Sequence, residues 1–244
     1  MLQGNLTSFA PDRFGTPNSA LNLNGGFTQV PSGFFFDSPQ FSVSKWIYPS
    51  TVGSWARVFD FGNGQGLLPY EFVQLSISAS NTYQPSLVLH GTNQNTKIQS
   101  PVPLEDNQWY FLAGTFNGSH VCLYINATLM SISLVSDQIA KVERKSNFFG
   151  KSNFITDEVS FSYLDEIRFY NTSLSPTQIT QLMNDDSKNS FLACSVMTTS
   201  STDAISTNSI SLTQSISTST DAITNSNSVT YSSPSKMLIS YIII

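Results

Sequence analysis

The chain has 244 residues, enough for one large β domain or for one domain and a tail. Charged residues are only 11% of it and aromatics reach 12%, with 18 Phe, a mixture poor in Lys/Glu-rich helices and rich in strand formers. A net charge of −5 leaves no basic footprint for nucleic acid and is too mild to name a cationic partner.

In chain order, the opening MLQGNLTSFAPDRFG has neither a basic n-region nor an apolar h-region, so no signal peptide is expected there. VQLSISA (73–79) alternates, with Val73, Leu75, Ile77 and Ala79 on one side and Gln74, Ser76 and Ser78 on the other. MSISLV (130–135) alternates in the same way, and both are expected to be half-buried antiparallel strands. WYFLAGTF (109–116) and VCLYI (121–125) are apolar on both faces, as strands covered on both sides should be. Asn117-Gly118 between them predicts a type I′ hairpin, because both residue types tolerate positive φ. Turn-rich gaps at 62–66, 91–95 and 105–108 separate other runs, and many short strands divided by turns point to a sandwich or jelly roll.

One helix is expected, in LSPTQITQLM (174–183). Ser175 is its N-cap, Pro176 takes the first helical position and Gln178 completes a capping box. Leu174 and Ile179 are spaced for a hydrophobic staple, and Ile179, Leu182 and Met183 form the buried stripe. The Asp185-Asp186 pair beyond it reads as solvated.

Composition changes near residue 195. From Thr198 to Thr230, 19 of 33 residues are Ser or Thr, too little apolar surface to offset ordering entropy, so 195–236 reads as a disordered stalk, O-glycosylated or merely low-complexity. STDAISTNS at Ser201 returns as STDAITNSNS at Ser219, an 18-residue spacing too short and too polar for a solenoid. The apolar terminus 237–244 is far shorter than the roughly 20 residues of a span, and reads as the start of a truncated membrane anchor or as a sticky end. Cys122 and Cys194 form either one disulfide or two separate thiols; a bridge would add roughly 4 kcal/mol on the chain-entropy model.

Five segments, in order, resemble the laminin-G-like jelly rolls of the concanavalin-A-like lectin/glucanase superfamily. They are DRFGTPNSALNLNGG (12–26), FSVSKWIYPS (41–50), VFDFGNG (58–64), WYFLAGTFNGSHVCLYINATL (109–129) and YLDEIRFYNTSLSPTQITQLM (163–183). The resemblance implies an all-β, two-sheet antiparallel jelly-roll sandwich over residues 1–190, closed by one short helix. It implies binding to a glycan or an extracellular protein, without saying which. Two positions depart from the family pattern. Asn126-Ala127 stands where Asn-Gly is familiar, so that hairpin tip is expected to need another backbone solution. Lys45, between Val43 and Ile47, is expected to face solvent or snorkel over the sheet rim.

Asp165 carries the most information among the polar residues. In FSYLDEIRFY (161–170) it shares a parity with Phe161, Tyr163, Ile167 and Phe169, so its carboxylate needs partners. Those partners are either backbone N–H groups or an arginine such as Arg13. The alternative, by analogy with the family, is a structural calcium held by Asp165 and Asp12. Trp46, Tyr48 and Trp55 are the aromatics to test for sugar stacking, against the alternative that they pack between the sheets. N-glycosylation sequons stand at Asn5, Asn117, Asn126 and Asn171.

Catalysis finds little support. His120 and Cys122 share a strand face without a third orienting group, and Asp165-Glu166, as strand neighbours, are expected to point to opposite faces. The reading is an extracellular or cell-surface binding or adhesion module with a possible C-terminal membrane tether and no nucleic-acid partner. The alternatives are a purely structural extracellular domain and a diverged glycoside hydrolase.

Overall fold

A computed structural model describes residues 2–3, 7–51, 53–64, 71–91, 94–139 and 141–185. In chain order the strands are β1 (Leu2–Gln3), β2 (Ser8–Ala10), β3 (Ala20–Asn22), β4 (Phe27–Val30), β5 (Phe41–Thr51), β6 (Arg57–Gly62) and β7 (Phe72–Ser76). There follow β8 (Ser86–His90), β9 (Asn95–Gln99), β10 (Tyr110–Phe116), β11 (His120–Ile125), β12 (Thr128–Leu134), β13 (Ser146–Phe149) and β14 (Phe161–Tyr170), then helix α1 (Pro176–Met183). They build two antiparallel sheets, ordered β1-β4-β13-β6-β7-β8-β9 and β12-β11-β10-β5-β14-β3-β2. The expected two-sheet sandwich is therefore present. The stalk and apolar terminus, with Cys194, lie outside the described residues, as does Asn5.

The core lies between the sheets. Alternate residues of facing strands meet there: Val43 and Ile47 of β5, Leu112 of β10, Leu123 of β11 and Leu164 of β14 against Phe59, Phe61, Val73, Leu75, Leu87 and Phe149. Much of the Phe content concentrates at one end of it. Phe36, Phe59, Phe61, Phe149 and Phe169 contact one another with ring centroids 5.3 to 6.3 Å apart, mostly edge-on or tilted as aromatic quadrupoles prefer.

Strands β10 and β11 are buried on both faces, as their composition predicts, and α1 is the reason. Phe111, Ala113 and Tyr124 point away from the main core into a second cluster with Leu174 and Ile179, flanked by Leu182 and Met183. The capping box forms: Gln178 N–H donates to Ser175 Oγ (3.3 Å) and Ser175 N–H donates to Gln178 Oε1 (2.9 Å).

Five expectations change on contact with the structure. First, Lys45 neither faces solvent nor snorkels; it points inward opposite Leu112 with 0% exposure, because Val43 and Ile47 on either side fix the parity of β5. Second, β7 is covered on both faces, Gln74 and Ser76 included. β12, by contrast, is an edge strand with Leu129, Ile132 and Leu134 exposed. Third, the β10–β11 turn is centred one residue later than expected. Gly118 (φ 93°) is its first central residue and Ser119 its second, the type II′ pattern, while Asn117 Oδ1 accepts from the N–H groups of Ser119 (3.0 Å) and His120 (2.7 Å). Fourth, Asn126 (φ 49°) and Ala127 (φ 60°) adopt the I′ backbone unaltered, so alanine carries a left-handed conformation that Asn-Gly would take without strain. Fifth, β14 carries a bulge: Asp165 pairs with Trp46 but Arg168 with Ser44, so Glu166 and Ile167 together oppose Lys45, with Glu166 at φ 49°. The extra residue switches the inward parity from Leu164 to Ile167 and Phe169. Asp165 thus lies on the outer face with Trp46, not on the face of Ile167 and Phe169.

Candidate functional site

Five polar residues on the outer face of the β6–β9 sheet, Arg57, Asp60, Gln74, Ser76 and Ser86, are buried, which is unusual for the side of a sheet turned away from the core, while Lys97 at its edge is exposed. In register across four strands run Asp60, Gln74, Val88 and Lys97, and beside them Arg57, Ser76, Ser86 and Gln99. A segment between β13 and β14 folds over one end. Its Asp157 accepts from Arg57 Nη2 (2.5 Å) and from Ser152 Oγ (2.7 Å). Asn153 supplies its backbone N–H to Asp60 Oδ2 (3.0 Å) and its amide to Asp60 Oδ1 (2.8 Å). Arg57 also donates to Ser76 Oγ (2.9 Å) and to the Trp55 carbonyl (2.7 Å). Burial pushes the Asp60 carboxyl above its usual range, while Asn153, Arg57 and Ser152 pull the other way.

Trp55 is the organising aromatic. It sits at φ 56°, a left-handed conformation that costs a bulky residue energy and recurs at functional sites. Its ring centre lies 4.6 Å from Lys97 Nζ and 5.6 Å from the Arg57 guanidinium. The ring therefore lies between two cations that come from different strands, Arg57 of β6 and Lys97 of β9. Lys97 has its pKa lowered, first by burial and then by the charge of Arg57. On the same face the buried Gln74 Oε1 and Ser86 Oγ have no hydrogen-bond partner among the described residues, and Gln74 is only 4% exposed. A half-buried indole flanked by two cationic hydrogen-bond donors is suited to lie against a polyhydroxylated ligand.

The three aromatics expected to stack on sugar are not brought together. Trp46 is sandwiched between Phe111 (5.5 Å) and the Arg13 guanidinium (4.6 Å), on the outer face of the other sheet, and serves packing. Tyr48 lies on that same face, stacked on Tyr163 (5.2 Å, 10° between planes) and touching Trp109 (5.5 Å). Trp55 alone lies beside the polar face of the β6–β9 sheet. Sequence reasoning missed Arg57, Asp60, Gln74, Ser86, Lys97 and Asp157. Asp60, out of phase with Phe59 and Phe61, was the one local signal; a register shift between Arg57 and Phe59 hid the face of Arg57, and Asp157 comes from 100 residues away.

Asp165 finds the partner foreseen for it. Arg13 Nη1 lies 3.4 Å from Asp165 and 2.9 Å from Glu166, the bulge having turned both carboxylates to the same guanidinium. Burial first, then the Glu166 charge, pushes Asp165 up to about 6, against the pull of Arg13. Asp12 Oδ1 is taken by the N–H groups of Phe14 (2.9 Å) and Thr16 (2.8 Å). Among the described residues no group of three or more His, Cys, Asp or Glu gathers in a way that could hold a metal. With a guanidinium between its carboxylates, this donor set does not fit a divalent cation.

A family model described as the concanavalin A-like lectin/glucanases superfamily matches residues 22–180. The chain belongs to that superfamily. Within it, the sandwich is similar to domain 4 of the extracellular arabinanase AbnA of Geobacillus stearothermophilus, solved with arabinotriose. The likeness has a TM-score of 0.61 at 23% identity and covers 74% of this chain and 82% of that one. It is also similar to the receptor-binding domain of a botulinum neurotoxin C/D mosaic serotype (TM-score 0.57, 16% identity), covering 76% of this chain and 46% of that chain. The binding domain of Paraclostridial Mosquitocidal Protein 1 gives a TM-score of 0.56 at 15% identity, with 75% of this chain and 47% of that chain covered. The chain thus spans about half of either toxin domain, and at these identities the likenesses to solved structures speak for the fold. A comparison with curated protein sequences found no match.

Proposed function

We propose that this chain is a non-catalytic glycan-binding module, with its ligand seated against Trp55 on the outer face of the β6–β9 sheet. The observation that carries this is Trp55 itself: left-handed, half-buried, and flanked by the Lys97 and Arg57 cations on a sheet face rich in polar side chains. The arabinanase domain, solved with arabinotriose on the same fold, supports a saccharide as the ligand class. The absence of catalysis is supported by the state of the acids at this face. Asp60 is fully buried under Asn153, and Asp157 is tied to Arg57 and Ser152, so neither is placed to serve as a free acid or base.

An extracellular setting is part of the proposal. The exposed sequon asparagines Asn117, Asn126 and Asn171 support it, as does the Ser/Thr-rich stalk of the sequence. Among the described residues no helix is long and apolar enough to cross a membrane, so a tether at 237–244 rests on the sequence alone.

The test is a glycan array on the full chain, followed by calorimetry on the best ligand with Trp55→Ala and, for comparison, Tyr48→Ala. Trp55→Ala should weaken binding at least tenfold, equivalent to about 1.4 kcal/mol, while Tyr48→Ala leaves it unchanged. Equal binding by Trp55→Ala and wild type would remove the site; a blank array would favour the purely structural role; turnover of a glucan would restore the hydrolase reading.

A further inference from the structure

We infer that Arg13 is a built-in cation: its guanidinium fastens the opening segment of the chain to β14, at the place where the fold family implies calcium. Arg13 belongs to the turn between β2 and β3, and its carboxylate partners to the bulge of β14, more than 150 residues later. Four groups converge on it. Asp165 and Glu166 approach from β14, while the rings of Phe14 (4.2 Å) and Trp46 (4.6 Å) lie against the guanidinium. The Arg13 side chain is 6% exposed and that of Asp165 is 11% exposed, so this is an enclosed contact rather than a solvated surface pair.

The bulge makes the clasp possible. Without the extra residue at 165–166, strand alternation would send one carboxylate into the core and leave Arg13 with a single partner. Arginine suits the position for a reason that neither lysine nor a metal shares. Its planar fork can address two carboxylates while its faces rest on aromatic rings. Asp12, which the analogy would make a ligand, instead directs its Oδ1 to the backbone of its own turn, shaping the loop that presents Arg13. Glu166 is shared with Arg168 (3.4 Å), so a second cation stands beyond the first.

The test needs only the full chain and stability measurements, and it does not depend on the proposed glycan site. Wild type should melt at the same temperature in chelator and in millimolar calcium. Arg13→Met should melt roughly 6–20 °C lower, the range expected for breaking one buried pair in a domain of this size, with calcium giving no rescue. Arg13→Lys should recover only part of that loss. Hydrogen exchange should then rise selectively in 8–22 and 163–168. A wild-type melt that falls in chelator and returns with calcium would overturn the inference without any variant. So would an Arg13→Met protein that melts with wild type.

Discussion

Replacing Lys45 by Met should stabilise this protein, and by an amount that depends on pH. Lys45 is fully buried, its Nζ has no hydrogen-bond partner among the described residues, and burial alone drives its pKa well below 10.5. The one favourable contact of a charged Nζ, 5.7 Å from the Phe59 ring centre, is worth about 2 kcal/mol at most when desolvated, far less than the cost of an isolated buried ammonium. The amine is therefore neutral in the folded state wherever pH exceeds its lowered pKa, whereas the unfolded chain holds the proton up to about 10.5. In that window the unfolded state binds one more proton, so stability rises with pH by about 1.4 kcal/mol per unit and levels off above 10.5. Even the neutral amine, buried without a partner, costs roughly 1–3 kcal/mol.

Methionine matches the length of the stem without a polar end. The variant should gain roughly 1–3 kcal/mol near pH 10 and about 1.4 kcal/mol more for each unit below that within the window. Denaturant unfolding of wild type and Lys45→Met at pH 7, 8 and 9 measures both the offset and the slope. A variant less stable than wild type, or a wild type with no more pH slope than the variant, would refute the reasoning.

Two further outcomes follow from the turns and from the second cluster. Ala127→Gly should raise stability by roughly 0.5–1 kcal/mol, because glycine takes φ near 60° without the alanine strain; a lower melting temperature would show that the methyl's contact with the α1 cluster outweighs it. Cys122 is a half-buried free thiol that packs in the same cluster as Met183. It should therefore react with an alkylating reagent more slowly in the folded chain than after denaturation; equal rates in the two states would show that the α1 cluster does not cover it.

What could be read from the sequence was whatever depends on local period and composition. The double-sided burial of Phe111 to Phe116, the capping box at Ser175 and the stripe of Ile179, Leu182 and Met183 all follow from neighbours in the chain. The errors came from features that a period cannot carry. The bulge at Glu166 shifts parity in the middle of a strand, so a pattern counted through it assigns half of β14 to the wrong face. Lys45 is placed by the residues around it against its own preference, and tertiary packing overrides the propensity of a single side chain. The polar face beside Trp55 is assembled from β6, β7, β8, β9 and the segment at 152–157, brought together only by the sheet order. Gln74 and Ser86 look from the sequence like ordinary solvent-facing strand residues. Only their burial in the folded sheet shows otherwise.

The place of β14 in its sheet also bears on how this chain is made. It lies between β3 and β5, yet it is synthesised about 110 residues after β5 ends. At roughly 5–20 residues per second, β5 waits some 5–20 seconds on the ribosome with an unpaired edge, and β3 somewhat longer. During that interval the Val43 and Ile47 side of β5 lacks the strand that completes its sheet, and non-local pairing of this kind is slow to form. Nascent chains of this protein therefore carry their greatest aggregation hazard late in synthesis, and the arrival of β14, with Arg13 closing on its bulge, ends it.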